Sequence, residues 1–324
     1  MINFKFCPVC ESVELSTLFE RKLYASTNPL EMLAKDSHKF RNAITSRHLL
    51  DSKDPHLFHY MLCNDCGFVF SNPRPDEADM RLKYEKIVEY RTSEISPLYN
   101  RSFDNSRRRS RELKCLLQNF VSLTGMRILD FGGAEGKVLS SLVTGNECFV
   151  IDYEQRQLVD GVKYLGQALS DLGHMKVDII TACHVLEHMV SPREFLLEAK
   201  NYLSKNGLLY VEVPMELRKN FSGHGDFITH INVFSSGTLD ELLVKTGFTV
   251  VESSVKSKPN NNGWELVAYA LARNSGLEKA REANPEYSTE KSLTKRWLAE
   301  RLKGRAKYEF FSLFDRMRSN TISR

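Results

Sequence analysis

Arg127-Ile-Leu-Asp-Phe-Gly-Gly-Ala-Glu-Gly136 is a short apolar run that ends in an acid and three glycines. In a strand-turn-helix context, such a run sets bare backbone and then a helix N-terminus beside a bound small molecule. The spacing Asp130-x-Gly132-Gly133-Ala134-x-Gly136 departs from the G-x-G-x-x-G of a dinucleotide turn. An acid directly before the glycines repels a pyrophosphate, whereas it suits a ligand bearing an ammonium and a sulfonium. Asp152, at the end of the next apolar run, is spaced to accept hydrogen bonds from two ribose hydroxyls.

Outward from this stretch, strands and helices alternate. Strands are expected at 127–131, 148–151, 162–165, 177–182, 208–213, 248–252 and 265–272. Helices are expected from Lys137 to Leu142, from Pro192 to Asn206-Gly207, and from Thr238 to Thr246, closed by Gly247. Short apolar strands in such alternation predict an α/β fold with a Rossmann-like, mostly parallel seven-stranded sheet and helices on both faces. Before it, 76–90 and 105–121 read as helices, the second with Leu113, Leu116, Leu117 and Phe120 on one face. Arg107, Arg108, Arg109 and Arg111 at its start read as a solvated charged face. Cys115, Cys148 and Cys183 read as small core residues.

At the N-terminus, Cys7-Pro-Val-Cys10 and Cys63-Asn-Asp-Cys66 are two C-x-x-C knuckles separated by 52 residues. Two such turns complete a tetrahedral thiolate site suited to a structural zinc, with no open coordination position. The alternatives are disulfides or incidental cysteines, or a histidine (His38, His48, His56, His59) replacing one thiol. With 324 residues, 42% hydrophobic content, 27% charge and no apolar run of about 18 residues, the chain reads as an ordinary soluble protein that does not span a membrane. The N-terminus lacks a secretory layout and the seven cysteines are odd in number, which points to the cytoplasm. A net charge of +4 does not predict nucleic-acid binding. The expected division is a zinc-binding module over 1–75, a helical linker over 76–125, the alternating domain over 126–275 and a basic helical tail over 276–324. The tail holds twelve Lys or Arg against seven Asp or Glu, with Phe310, Leu313, Phe314 and Met317 at helical spacing. It could pack on its own domain, join an oligomer, or touch a membrane surface peripherally.

The ordered segments Ile-Leu-Asp-Phe-Gly-Gly-Ala-Glu-Gly, Val-Ile-Asp, Val-Asp-Ile-Ile-Thr-Ala-Cys-His-Val-Leu-Glu-His and Gly-Leu-Leu-Tyr-Val-Glu-Val-Pro resemble the class I S-adenosylmethionine-dependent methyltransferases over about residues 105–272. The resemblance implies that Gly132, Gly133 and Gly136 wall the methionyl part of S-adenosylmethionine, with Asp130 its nearby acid. It makes Asp152 the ribose acceptor, places Gln167 and Ala168 at the adenine, and sets Tyr153, Cys183 and His184 beside the cofactor. The family often has Gly where Ala134 stands and Asp where Gln167 stands. His184-Val-Leu-Glu187-His188 also matches H-x-x-E-H of inverted zinc peptidases, but it directly follows a buried strand. Glu187 and His188 read as capping and tethering the next helix. Thr229-His230-Ile-Asn-Val-Phe-Ser resembles the His-x-x-x-Phe-Ser segment of glycan and nucleotide-sugar methyltransferases, which makes His230 the candidate base, beside His184, with His224 second. The double knuckle is similar to zinc-containing sugar C-methyltransferases, which continue into a further C-terminal domain that this length does not include. The expected activity is therefore methylation of a hydroxyl on a small-molecule sugar or surface-glycan acceptor. The alternatives are C-methylation of a nucleotide-linked sugar and a non-catalytic binding protein on the same fold.

Overall fold

The computed structural model describes residues 1–24, 37–50, 54–92, 106–216, 228–260 and 263–274. The expected basic tail, His224, the break at Ser96-Pro97 and the His38 side chain lie outside these residues.

The N-terminal part contains β1 (Leu15–Leu23), α1 (Ser37–Leu49), β2 (His56–Cys63), β3 (Val69–Asn72) and α2 (Glu77–Thr92). The strands β1, β2 and β3 pair antiparallel. The segment between the two knuckles thus folds back as a strand, a helix and a strand.

After α3 (Ser106–Gln118) come β4 (Arg127–Phe131), β5 (Glu147–Ile151), β6 (Val162–Gly166), β7 (Val177–Cys183), α4 (Pro192–Tyr202), β8 (Leu203–Pro214), β9 (Asn232–Val233), α5 (Ser236–Lys245), β10 (Thr249–Asn260) and β11 (Gly263–Arg273). Seven of these strands form one sheet in the order β10-β11-β8-β7-β4-β5-β6. The pairs β4–β5, β5–β6, β4–β7 and β7–β8 are parallel, and β11 runs antiparallel to both neighbours. From β4 the chain first builds outward to β5 and β6, then returns to the other side for β7 and β8. The crevice beyond the carboxyl ends of β4 and β7 is therefore a topological switch point.

Consecutive strand residues face opposite sides, and the two apolar clusters divide accordingly. Leu129, Ile180 and Leu209 pack with Phe195, Leu196 and Ala199 of α4 and Leu239, Leu242 and Leu243 of α5. Ile128, Ile179 and Leu208 pack with Leu113 and Leu117 of α3 and with Val138, Leu139 and Leu142. The β9 segment leaves the large sheet and pairs antiparallel with β3, so the small sheet takes the order β1-β2-β3-β9. The N-terminal part is thereby joined to the alternating region by a strand from inside the latter.

Four local expectations are corrected. The helix expected at Lys137–Leu142 is a single 3-10 turn, Lys137–Leu139. Where an α-helix would carry the Ser141 N–H to the Lys137 carbonyl, Ser110 of α3 accepts it instead, at 2.8 Å. Helix α4 ends at Tyr202, and Asn206-Gly207 falls inside β8, where Asn206 has φ 65° and the register against β7 jumps from Leu203 to Leu208. Strand β10 continues through Ser253–Lys258, a polar run without apolar alternation, because Lys256 and Lys258 pair with the buried Glu212 of β8. Cys115 is exposed, since Leu113 and Leu117 turn the opposite face of α3 to the core.

Candidate active site

The carboxyl ends of β4, β5, β6 and β7 open into a cavity of about 840 Å³, within the range of small-molecule sites. Phe131 and Gly132 line it from β4, Asp152 and Tyr153 from β5, Gln167 from β6, and Cys183 and His184 from β7. Met80, Tyr84 and Ile87 of α2 form part of the opposite wall, and Tyr84 stacks on Tyr153 with ring centroids 4.2 Å apart. Gly132 has φ 69°, and a Cβ there would stand 2.8 Å from Val185 Cγ2, so only glycine fits this turn without strain.

Asp130 lies beneath the turn. A Cβ on Gly133 would meet Asp130 Oδ2 at 2.6 Å, so the missing side chain makes room for the carboxyl group. Thr181 donates to Asp130 Oδ1 at 2.6 Å, while Oδ2 has no hydrogen-bond partner among the described residues. Burial pushes the Asp130 carboxyl up to about 7, against the Thr181 hydrogen bond and the charge of Arg109. Asp152 accepts the Ala134 N–H at 2.9 Å and the Glu154 N–H at 3.2 Å. Gln167 Nε2 donates to the Tyr153 carbonyl at 3.0 Å. Asp130, Gly133, Gly136 and Ala168 do not line the cavity. Gly136 packs against Val162 and Val150, and the Ala168 N–H is held by Asp171.

The far wall is more charged than the sequence reading expected. Glu212 is fully buried and within 3.1 Å of Arg109 Nε and Lys258 Nζ, 2.7 Å of Lys256 Nζ and 3.4 Å of His184 Nε2. Burial would raise its pKa, but the His184 contact and the three cations hold it well below the usual carboxylate range. Arg109 is therefore a buried partner that also lines the cavity, not part of a solvated face. Its isolation on β8's acid is invisible in a run of four arginines; the one available signal is an acid amid the apolar Leu-Leu-Tyr-Val-Glu-Val strand.

His184 has φ 59° and precedes a 3-10 turn, Leu186–His188, so the H-x-x-E-H residues do not form a helical metal motif. Nor do Glu187 and His188 cap α4, whose N-cap Ser191 makes no side-chain capping bond. Instead His188 Nδ1 is hydrogen-bonded to the Thr229 carbonyl at 2.6 Å, and the His188 ring meets His230 edge-on at 4.6 Å. His188 lines the cavity; His230 stands one ring behind it, its Nδ1 hydrogen-bonded to the Glu216 carboxylate. Glu187 is 1% exposed.

Away from the cavity, the Sγ atoms of Cys7, Cys10, Cys63 and Cys66 all lie within 4.8 Å of one another. The Cys7–Cys66 and Cys10–Cys63 separations are 3.6 and 3.5 Å, so none of these thiols is in a disulfide. No described histidine joins them; His59 pairs with Glu20 at 3.1 Å. Arg74, just beyond β3, is fully buried. Its Nη2 donates to the Met189 carbonyl and to Asn232 Oδ1, each at 2.9 Å, and its guanidinium covers the Phe4 ring.

Residues 101–253 match a family model described as a methyltransferase domain. Among solved structures, a chain of the Haloferax volcanii complex between the Trm112 methyltransferase activator and a methyltransferase is 16% identical, with a TM-score of 0.42 over 53% of this chain and 92% of that one. A Galdieria sulphuraria protein described as a sarcosine dimethylglycine methyltransferase is 14% identical, with a TM-score of 0.42 over 52% and 86%. Magnesium protoporphyrin IX methyltransferase from Synechocystis, with bound SAH, is 14% identical, with a TM-score of 0.41 over 52% and 82%. Nothing matches among the curated proteins.

Proposed function

From the methyltransferase domain that residues 101–253 carry, we propose that this chain transfers a methyl group from S-adenosylmethionine to a hydroxyl of a sugar or surface-glycan acceptor. The observation that carries the cofactor reading is Asp130: a fully buried carboxyl oxygen without a hydrogen bond, under a glycine turn at the switch point. An orphaned buried acceptor fits an ammonium donor such as that of the methionyl group. Asp152, which lines the cavity at the end of β5, fits the ribose hydroxyls. Tyr153 and Gln167 are assigned to the adenine, and Cys183 and His184 to the methionyl end. Gly133 and Gly136 serve by letting Asp130, Val150 and Val162 pack close behind the turn. When bound, S-adenosylmethionine supplies an electrophilic methyl carbon; the chain's residues position the acceptor and take its proton.

On the acceptor side His230 is the assigned base. The Glu216 carboxylate on Nδ1 fixes the tautomer that leaves Nε2 basic. The assignment to a sugar hydroxyl rests on the likeness of the Thr229–Ser235 segment to glycan methyltransferases; C-methylation is the competing outcome. In the N-terminal part, Cys7, Cys10, Cys63 and Cys66 are assigned one structural zinc. A tetrahedral site with Zn–S bonds of about 2.3 Å has sulfur separations of roughly 3.8 Å, close to those of the two nearest pairs. The domain division at 75, 125 and 275 is retained as a proposal, with β9 as the strand that crosses it.

Calorimetry with S-adenosylmethionine and S-adenosylhomocysteine tests the cofactor reading, and absence of binding by both would refute it. Product analysis with sugar and nucleotide-sugar acceptors then separates oxygen from carbon methylation.

A further inference from the structure

We propose that Glu187, His188 and His230 form a second metal site, for a divalent first-row transition ion, distinct from the four cysteines. One ligand atom from each residue lies within 4.8 Å of the others. An ion with bonds of about 2.0–2.2 Å brings such atoms to roughly 3–3.5 Å apart, so closure requires a shift of about an ångström.

Two further observations point to a cation. Glu187 is almost completely buried, and among the described residues neither of its carboxylate oxygens has a hydrogen-bond partner. His184 Nδ1 is 3.3 Å and His188 Nε2 is 3.9 Å from Oε1. A buried carboxylate with no hydrogen bonds is costly unless a cation compensates it. The two histidines are also oriented as metal ligands are. His188 has its Nδ1 on the Thr229 carbonyl, and His230 has its Nδ1 on the Glu216 carboxylate. Metal-bound imidazoles characteristically direct their second nitrogen at a carbonyl or carboxylate, which fixes the ring. In this arrangement Nε2 of each ring is the ligating atom.

Two imidazoles and one carboxylate suit first-row transition ions better than a thiolate-seeking or purely oxygen-seeking metal. Three protein ligands leave coordination positions open, and His188 carries the site to the cavity wall. An acceptor oxygen on such a cation has its proton acidified, as bound water does. With the ion bound, His230 Nε2 would be a ligand; without it, the ring keeps the role of base assigned above. That use of the site rests on the methyl-transfer reading; the site itself does not.

The test is calorimetric titration of the full-length, zinc-loaded chain with Co²⁺, in the wild type and in Glu187→Gln. The expected result is one Co²⁺ per chain, with affinity at least tenfold weaker in the variant. Glu216→Gln, which alters only the outer partner of His230, should weaken binding by a smaller factor within the 10–100-fold range of such partners. Zinc content and melting temperature confirm that each variant is folded. No Co²⁺ bound by the wild type at 1 mM (about 1,000-fold above a micromolar site), or equal affinity in a folded Glu187→Gln chain, would overturn the proposal. S-adenosylmethionine titration of the same samples separates the two readings. Cofactor binding without Co²⁺ binding removes the metal site alone, and the converse removes methyl transfer and leaves the site.

Discussion

Replacing Asp130 with Asn should stabilise the chain against alkaline pH and weaken S-adenosylmethionine binding. Burial lifts the folded-state pKa of Asp130 from an ordinary 3.8 to about 7. Below about pH 4 the group is protonated in both folded and unfolded chains. As pH rises toward 7 the unfolded chain loses this proton while the folded chain keeps it, so folding binds more protons and stability falls. Three units at 1.36 kcal/mol each give about 4 kcal/mol, lost in full above the folded pKa. Asparagine keeps an oxygen for the Thr181 hydroxyl, which donates at 2.6 Å, but has no proton to lose. Its amide nitrogen, placed at the unpartnered Oδ2 position, adds a roughly pH-independent cost of about 1–3 kcal/mol. Urea unfolding of both chains at pH 5, 6, 7 and 8 isolates the effect, because titrating groups that do not interact with Asp130 cancel in the difference. The variant should gain on the wild type progressively across this range. Its affinity for S-adenosylmethionine at pH 8 should fall about 10–100-fold through loss of one charge-assisted hydrogen bond. A stability difference that stays flat with pH would refute the buried neutral carboxyl, and unchanged affinity would refute the turn as the cofactor site.

Glu212→Gln leaves Arg109, Lys256 and Lys258 without their shared counter-charge, at a cost of about 3–5 kcal/mol at pH 7 by denaturant unfolding. Because the folded pKa of Glu212 is held below its ordinary 4.5, its contribution is present above that value and lost on acidification. The penalty of the variant should therefore narrow below pH 4.5. Gly132→Ala forces a side chain into a left-handed turn and against Val185 Cγ2; thermal melts should show a loss of about 1–3 kcal/mol, with weaker cofactor binding in calorimetry. Cys63→Ser should abolish retention of one zinc per chain by metal analysis and lower the melting temperature, whereas Cys115→Ser, at an exposed thiol, should do neither.

The middle of the large sheet was legible because its strands carry short apolar runs with clear stops, a glycine after β4, an acid after β5 and a proline at the end of β8. The glycine turn and Asp152 were legible because the chemistry of an acid after a strand is local. What stayed hidden depends on partners distant in sequence. Strand β10 carries Ser and Lys where a strand ordinarily carries apolar residues, and its lysines make sense only beside Glu212 of β8. Arg109 reads as one of four surface arginines until the same acid is placed beside it. The helix expected after Gly136 failed for the same kind of reason, because Ser110, 31 residues earlier on α3, takes the Ser141 N–H. Likewise, nothing in Val-Leu-Glu-His indicates that His188 turns toward Thr229, 41 residues away, rather than toward the helix that follows.

The N-terminal part is more than an appended clamp, because three of its features bear on the cavity. Helix α2 supplies Met80, Tyr84 and Ile87 to the wall that faces Asp152 and Tyr153. Strand β3, leaving the second cysteine knuckle, pairs with β9 directly after His230. Arg74, two residues past β3, binds the Met189 carbonyl next to His188 and the side chain of Asn232. Asn232 in turn donates to the Leu186 and Met189 carbonyls on either side of Glu187 and His188. The backbone of Arg74 is itself held, by two hydrogen bonds with Ile2. The four cysteines lie in the same apolar cluster as Phe68, just before β3, and Phe70, within it. Order at the thiol cluster is thus passed through β3 and Arg74 to the turn that carries Glu187 and His188, which gives the cysteine knuckles a reason to be built into the same fold as the cavity.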